Sequence, residues 1–134
     1  MNKIKGVIKK ITSHQGISLV NIQILDTLFG TVLLDTPKSC NYLKIGKSIT
    51  VAFKETEVVI ALLNMGGISM TNQLKCKIKS IQNGKILSKI ELTCKETILT
   101  SFITLNSSKR LNLKVNDNVM ALIKANEISL IEED

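Results

Sequence analysis

Two short hydroxyl patterns recur in the chain, Thr36-x-x-Ser39 and Thr104-x-x-Ser107, and two lysines, Lys54 and Lys124, each close an apolar run (Val51-Ala52-Phe53 and Ala121-Leu122-Ile123). Hydroxyls donate hydrogen bonds and an ammonium adds a full charge, so the combination suits an anion that only accepts. Each feature also has a local explanation. Thr and Ser three residues apart cap a helical turn, and a lysine at a strand end is solvated or discourages edge pairing. The explanations are compatible, because a capped turn also presents free N–H groups to an anion. What favours binding is recurrence: both lysines hold matching positions in two halves of the chain while neighbouring lysines drift.

Residues for catalysis are sparse. The single histidine, His14, lies in the hydrophilic stretch Thr12-Ser13-His14-Gln15-Gly16, where a solvated turn residue is expected rather than a base. Asp and Glu fall mostly at strand edges and in the acidic run Glu132-Glu133-Asp134, so no buried carboxylate pair is evident. The three cysteines, Cys40, Cys76 and Cys94, are odd in number and lack C-x-x-C spacing, so neither a disulfide framework nor a zinc site is expected. A binding protein of the reducing cytoplasm, not an enzyme, is the expectation.

The 134 residues carry a net charge of +7, with 44% hydrophobic and 22% charged residues, which is enough to bury a core. No run approaches the roughly 20 apolar residues that cross a bilayer. Lysines interleave with apolar residues at the N-terminus, which has no apolar signal segment.

The chain is written twice. Lys44–Lys54 lies over Lys114–Lys124 at an offset of 70 with a shared apolar pattern, and Asn2-Lys3-Ile4-Lys5 lies over Asn72-Gln73-Leu74-Lys75 at the same offset. In the middle an offset of 68 places Gly16 over Gly84, Ile22 over Ile90, and Thr36/Ser39 over Thr104/Ser107. This implies two extra residues in the first hairpin of copy one, cancelled after Ser39. The expected organisation is one unit at 1–63, a turn-rich linker at 64–68, and a second unit at 69–134.

Each copy reads as β. Leu74, Cys76 and Ile78 alternate with Lys75, Lys77 and Lys79, and Ile90, Leu92 and Cys94 alternate with Glu91, Thr93 and Lys95. Further strands are expected at 97–103, 118–124 and 127–131, with counterparts at 28–34, 48–54 and 57–62. One helical turn is expected before the fourth strand of each copy, and Thr36-Pro37 is a suitable start. Five short strands and one turn suit a small closed barrel of the oligonucleotide/oligosaccharide-binding (OB) type, so the fold class is all-β with two tandem barrels. Barrels this small have thin cores, which favours oligomerisation.

The motifs resemble those of the molybdate-binding Mop or TOBE domain, and the whole chain resembles a tandem molbindin. The family opening S-A-R-N-x-L-x-G is matched by Ser69-Met70-Thr71-Asn72-Gln73-Leu74-Lys75-Cys76, its middle I-T-x-x-S by Ile103–Ser107, and its close by Leu111–Ala125. Copy one carries shorter versions at Asn2–Gly6, Thr36–Ser39 and Phe53–Glu55. The resemblance implies two OB-like barrels and binding of molybdate or tungstate where subunits or domains meet. It also implies a homo-oligomer, with trimers expected, that stores, buffers or delivers the oxyanion. The implied site residues are Ser69, Thr71, Asn72, Thr104, Ser107, Lys124 and Ala125 in copy two, and Thr36, Ser39, Lys54 and Glu55 in copy one. Two departures stand out: Thr71 replaces the opening arginine, removing a permanently charged fork, and Glu55 replaces a small residue.

A single-stranded nucleic-acid barrel is the competing expectation, supported by the basic charge. Against it, only four aromatics (Phe29, Tyr42, Phe53 and Phe102) are available for base stacking, and the charge is spread as +4 over residues 1–67 and +3 over 68–134. A degenerate module that only oligomerises is the third possibility.

Overall fold

The structure, a computed structural model, describes residues 1–63 and 67–133. Of the expected linker, residues 64–66 lie outside the described residues. Copy one supplies β1 (Asn2–His14), β2 (Ile17–Ile24), β3 (Thr27–Leu33), β4 (Ser48–Phe53) and β5 (Val59–Leu62). Copy two supplies β6 (Asn72–Asn83), β7 (Leu87–Cys94), β8 (Thr97–Thr104), a helix α1 (Leu105–Arg110), β9 (Asn118–Ile123) and β10 (Ser129–Ile131). Short 3₁₀ turns at Glu55–Glu57 and Ala125–Glu127 precede the two last strands, which therefore start later than the alternation pattern suggested.

Alternation builds the cores. On β2 the even-numbered Val20, Ile22 and Ile24 are buried, and on β7 Ile90, Leu92 and Cys94 are buried at the same depth. The long strands β1 and β6 each serve two partners. β1 pairs with β4 over residues 2–7 and with β2 over 7–14, and a bulge between Ile8 and Lys10 lets it turn from one to the other. β6 repeats this with a bulge between Ile78 and Ser80. Gly6 sits just before the bend, where a Cβ would lie 2.6 Å from Ile22 Cγ2 and 2.8 Å from the Gln23 carbonyl, so only glycine fits.

The fifth strands are exchanged. One sheet has the order β10-β4-β1-β2-β3 and the other β5-β9-β6-β7-β8, so each copy's barrel is completed by the last strand of the other. Leu130 pairs with Val51, and Ile60 with Ala121. The expectation that each copy contributes its own five strands gives way to a reciprocal arrangement. Buried side chains lock it. The Asn72 amide donates to the Gly30 carbonyl at 2.9 Å and accepts from the Gly30 N–H at 2.7 Å. Asn2 does the same to Thr100, at 2.8 and 2.9 Å. Each asparagine thus occupies the free edge of the other copy's third strand as a neighbouring strand would. Hydroxyls add to the seam: Ser101 donates to the Val58 carbonyl at 2.7 Å, and Thr31 to the Ile128 carbonyl at 3.1 Å.

Three sequence-based expectations are corrected or refined here. The offset is 70 from β1 through β3, since Ser13 faces Ser18 as Asn83 faces Ser88, and Leu25 and Lys95 both turn with φ 54°. The hairpins are of equal length, and the two-residue shift falls between β3 and the Thr36 turn. A two-residue slip preserves which residues face inward, so the alternation pattern cannot detect it. Second, the helical turn expected before each fourth strand is present in both copies but unequal in length, and only in copy two does it extend into the helix α1. From Thr104 to the buried anchor Leu113 there are two residues more than from Thr36 to Leu43, and copy one closes the shorter span with a single helical turn, Cys40 N–H to Thr36 carbonyl at 2.9 Å. Third, Cys76 and Cys94 form a disulfide, with Cα atoms 4.6 Å apart. Strand pairing places them opposite each other on the inner face, where copy one has Gly6 and Ile24. A separation of 18 residues gives no local spacing signal.

Replacing Asn72 by Ala leaves a buried N–H and a buried carbonyl of Gly30 without partners, so stability is expected to fall by about 1–3 kcal/mol. Urea unfolding of N72A beside the exposed-site control N106A checks this, with no measurable change expected for the control.

Candidate functional site

The two middle motifs end up built differently. In copy two, Thr104 caps α1: its Oγ1 accepts the Ser107 N–H at 3.1 Å and lies 2.9 Å from Ser107 Oγ. In copy one the polarity reverses, with Ser39 Oγ accepting the Thr36 N–H at 2.9 Å while facing the Asp35 carboxylate at 3.3 Å. The Thr36–Ser39 pair therefore has an acid beside it, which disfavours an anion. The Thr104–Ser107 pair has no such neighbour within hydrogen-bonding reach among the described residues.

Thr104 and Ser107 line a groove of about 460 Å³ whose opposite wall is the Thr56–Ile60 segment of copy one. This wall is in place because the 3₁₀ turn at Glu55–Glu57 packs against β8. The equivalent turn of copy two, Ala125–Glu127, packs instead against β3 of copy one, with the Ala125 carbonyl 3.3 Å from Thr31 Oγ1. Within one chain, then, the middle motif of copy two lies on a seam with the closing segment of copy one, whereas Thr36 of copy one lines a groove made of copy-one residues. Lys124 and the Thr104–Ser107 pair are on opposite seams.

The remaining candidates fall into place around these seams. Thr71 and Ser69 are exposed and lead into β6, and the register that pairs Asn72 with Ile123 brings Thr71 and Lys124 to the same strand ends. Asn72 is fully buried with both amide atoms committed to Gly30, so its role is to hold the seam. Lys54 is exposed and lines a smaller groove of about 230 Å³ with Glu57, Asn126 and Glu127. Glu55 is paired with the Met1 ammonium at 2.7 Å, a hydrogen bond that holds its carboxyl below the usual range. Thr56 and Arg110, which line the groove beside Thr104 and Ser107, were missed by sequence reasoning. Arg110 carried a detectable signal: it continues the three-residue spacing of Thr104 and Ser107 and is the sole arginine.

Another groove, of about 730 Å³, lies between His14 and Thr36–Lys38 in copy one. Beside it, burial pushes the Tyr42 phenol up to about 12, with Cys40, Asp35 and Glu132 adding to the shift. Among the described residues no cluster of three metal-ligating side chains occurs, and no helix is long and apolar enough to cross a membrane.

Two exchanged OB-like barrels with hydroxyl-bearing seams define a tandem small-barrel binding protein, and comparisons with known proteins agree. The TOBE domain model matches residues 68–130. A probable molybdenum-pterin-binding protein of Haemophilus influenzae is 37% identical over 62 residues, covering 46% of this chain and 90% of that protein. The crystal structure of the cytoplasmic molybdate-binding protein ModG with molybdate bound superposes with a TM-score of 0.89 at 25% identity, covering 96% of this chain and 94% of that one. The chain belongs to the Mop/TOBE family of molybdate-binding proteins.

As Tyr42 is the sole tyrosine, phenolate absorbance reports it alone. The folded protein should titrate near 12 and the urea-unfolded chain near the ordinary value of about 10. The raised folded value means the contribution to stability is intact below pH ~10 and lost as pH rises through 12.

Proposed function

We propose that this protein binds molybdate or tungstate in the cytoplasm and stores, buffers or delivers it. The units at 1–63 and 69–134 together form the binding seams, and the chain assembles as a homo-oligomer, most simply a trimer. The observation that carries this reading is the near-complete structural match to a protein solved with molybdate bound. The seam chemistry supports it. Molybdate at neutral pH is a dianion with four accepting oxygens, which hydroxyls, backbone N–H groups and cationic side chains can satisfy. Thr104 and Ser107 offer hydroxyls in a groove walled by both copies. The reading assigns Ser69, Thr71, Lys124 and Ala125 to the other seam, together with Thr36 and Ser39. Since one chain keeps Lys124 apart from Thr104 and Ser107, association of protomers is the means by which the family's full donor set can converge.

The nucleic-acid reading finds no support in the aromatics: Phe29 and Phe53 are 0% and 1% exposed and cannot stack on bases.

Calorimetric titration with molybdate, tungstate, sulfate and phosphate, with oligomer mass measured alongside, tests the proposal. Binding of the two larger oxyanions with weak or absent response to sulfate and phosphate is expected; no uptake of molybdate or tungstate would overturn it. The double variant Thr104→Ala/Ser107→Ala should lose at least ~10-fold in affinity, as expected for one lost charge-assisted hydrogen bond. Lys124→Ala should weaken binding far more than Lys85→Ala, which alters an exposed hairpin lysine.

A further inference from the structure

Resting on that oxyanion reading, we infer that Arg110 is the charged ligand of the Thr104–Ser107 groove, replacing the arginine missing from the opening motif. The cation expected on this seam is Lys54, which caps the turn containing Thr56. Its side chain lines a different groove, with Glu57 and Glu127, where carboxylates compete for its charge. Arg110 instead lines the same groove as Thr104, Ser107 and Thr56. Residues three apart on a helix lie on one face, so Ser107 and Arg110 project together, and Thr104 continues the line. No carboxylate of the described residues lies within 4.0 Å of the guanidinium. A free planar fork of N–H donors can take two oxygens of a tetrahedral anion at once, which an ammonium cannot.

The first copy lacks this arrangement. By spacing from Thr36 and Ser39 the position matching Arg110 is Tyr42, whose phenol stays neutral, and in that turn Ser39 donates to the Asp35 carboxylate. The two middle motifs are therefore unequal: the Thr104–Ser107 groove has a guanidinium fork within one chain, whereas the Thr36–Ser39 turn has the Lys38 ammonium and a serine hydrogen-bonded to the Asp35 carboxylate.

The test is calorimetric titration of molybdate into the wild-type protein, Arg110→Ala, Arg110→Lys and Lys109→Ala, with thermal melting and oligomer mass recorded for each. Lys109 is the adjacent exposed residue and serves as the charge control. If the inference holds, R110A loses at least ~10-fold in affinity or one class of site, R110K recovers part of the loss, and K109A stays within about twofold of wild type, with melting and mass unchanged. Wild-type binding that R110A retains in full overturns the role of Arg110 while leaving the oxyanion reading standing. Equal losses in R110A and K109A overturn it as well, because they reduce the effect to net charge. A wild-type protein that takes up no molybdate overturns both.

Discussion

The molecule depends on the exchange of fifth strands and on the asparagine that secures each side of it. A barrel of about 65 residues has little apolar area to bury, and a four-stranded remnant would expose an unpaired edge. Exchanging β5 and β10 fills one edge of each sheet. Asn2 and Asn72 then satisfy backbone groups on the opposite edges, at Thr100 and Gly30. Both amides are buried, so an unmade bond there is costly, and the geometry is correspondingly fixed.

Function follows from that arrangement. The motif segments that the sequence places within one copy are distributed by the exchange to seams between copies. The 3₁₀ turn of copy one faces β8 and becomes a wall for Thr104 and Ser107, while the turn of copy two faces β3. A groove assembled from two copies senses their relative placement, and the same hydrogen bonds that hold the seam hold the donors. Duplication also frees the copies to diverge. The Cys76–Cys94 disulfide and the Gly6–Ile24 pair occupy matching places, and Arg110 lies on a helix longer than the corresponding turn of copy one, so each barrel has kept its architecture with different contents.

Much of this was legible in the sequence, for reasons that particular residues make clear. The alternation of Leu74, Cys76 and Ile78 with lysines defined strands and their inward faces, and the recurrence of Lys54 at Lys124 exposed the duplication. The 68-residue offset was misread through the first hairpin because a shift by two leaves every inward residue inward. The exchange was invisible because β5 and β10 carry the same pattern whichever β4 or β9 they join. Asn72 looked like a ligand since it sits within the opening motif, and only its pairing with Gly30 reveals a structural role. The disulfide escaped because local spacing cannot report a contact across paired strands.

The most direct test of the central claim is interstrand nuclear Overhauser contacts in the isotopically labelled intact protein. The account predicts backbone contacts between Ile60 and Ala121 and between Leu130 and Val51, matching the exchanged ladders. Contacts that instead join β5 to β4 and β10 to β9 would show two self-contained barrels and contradict it.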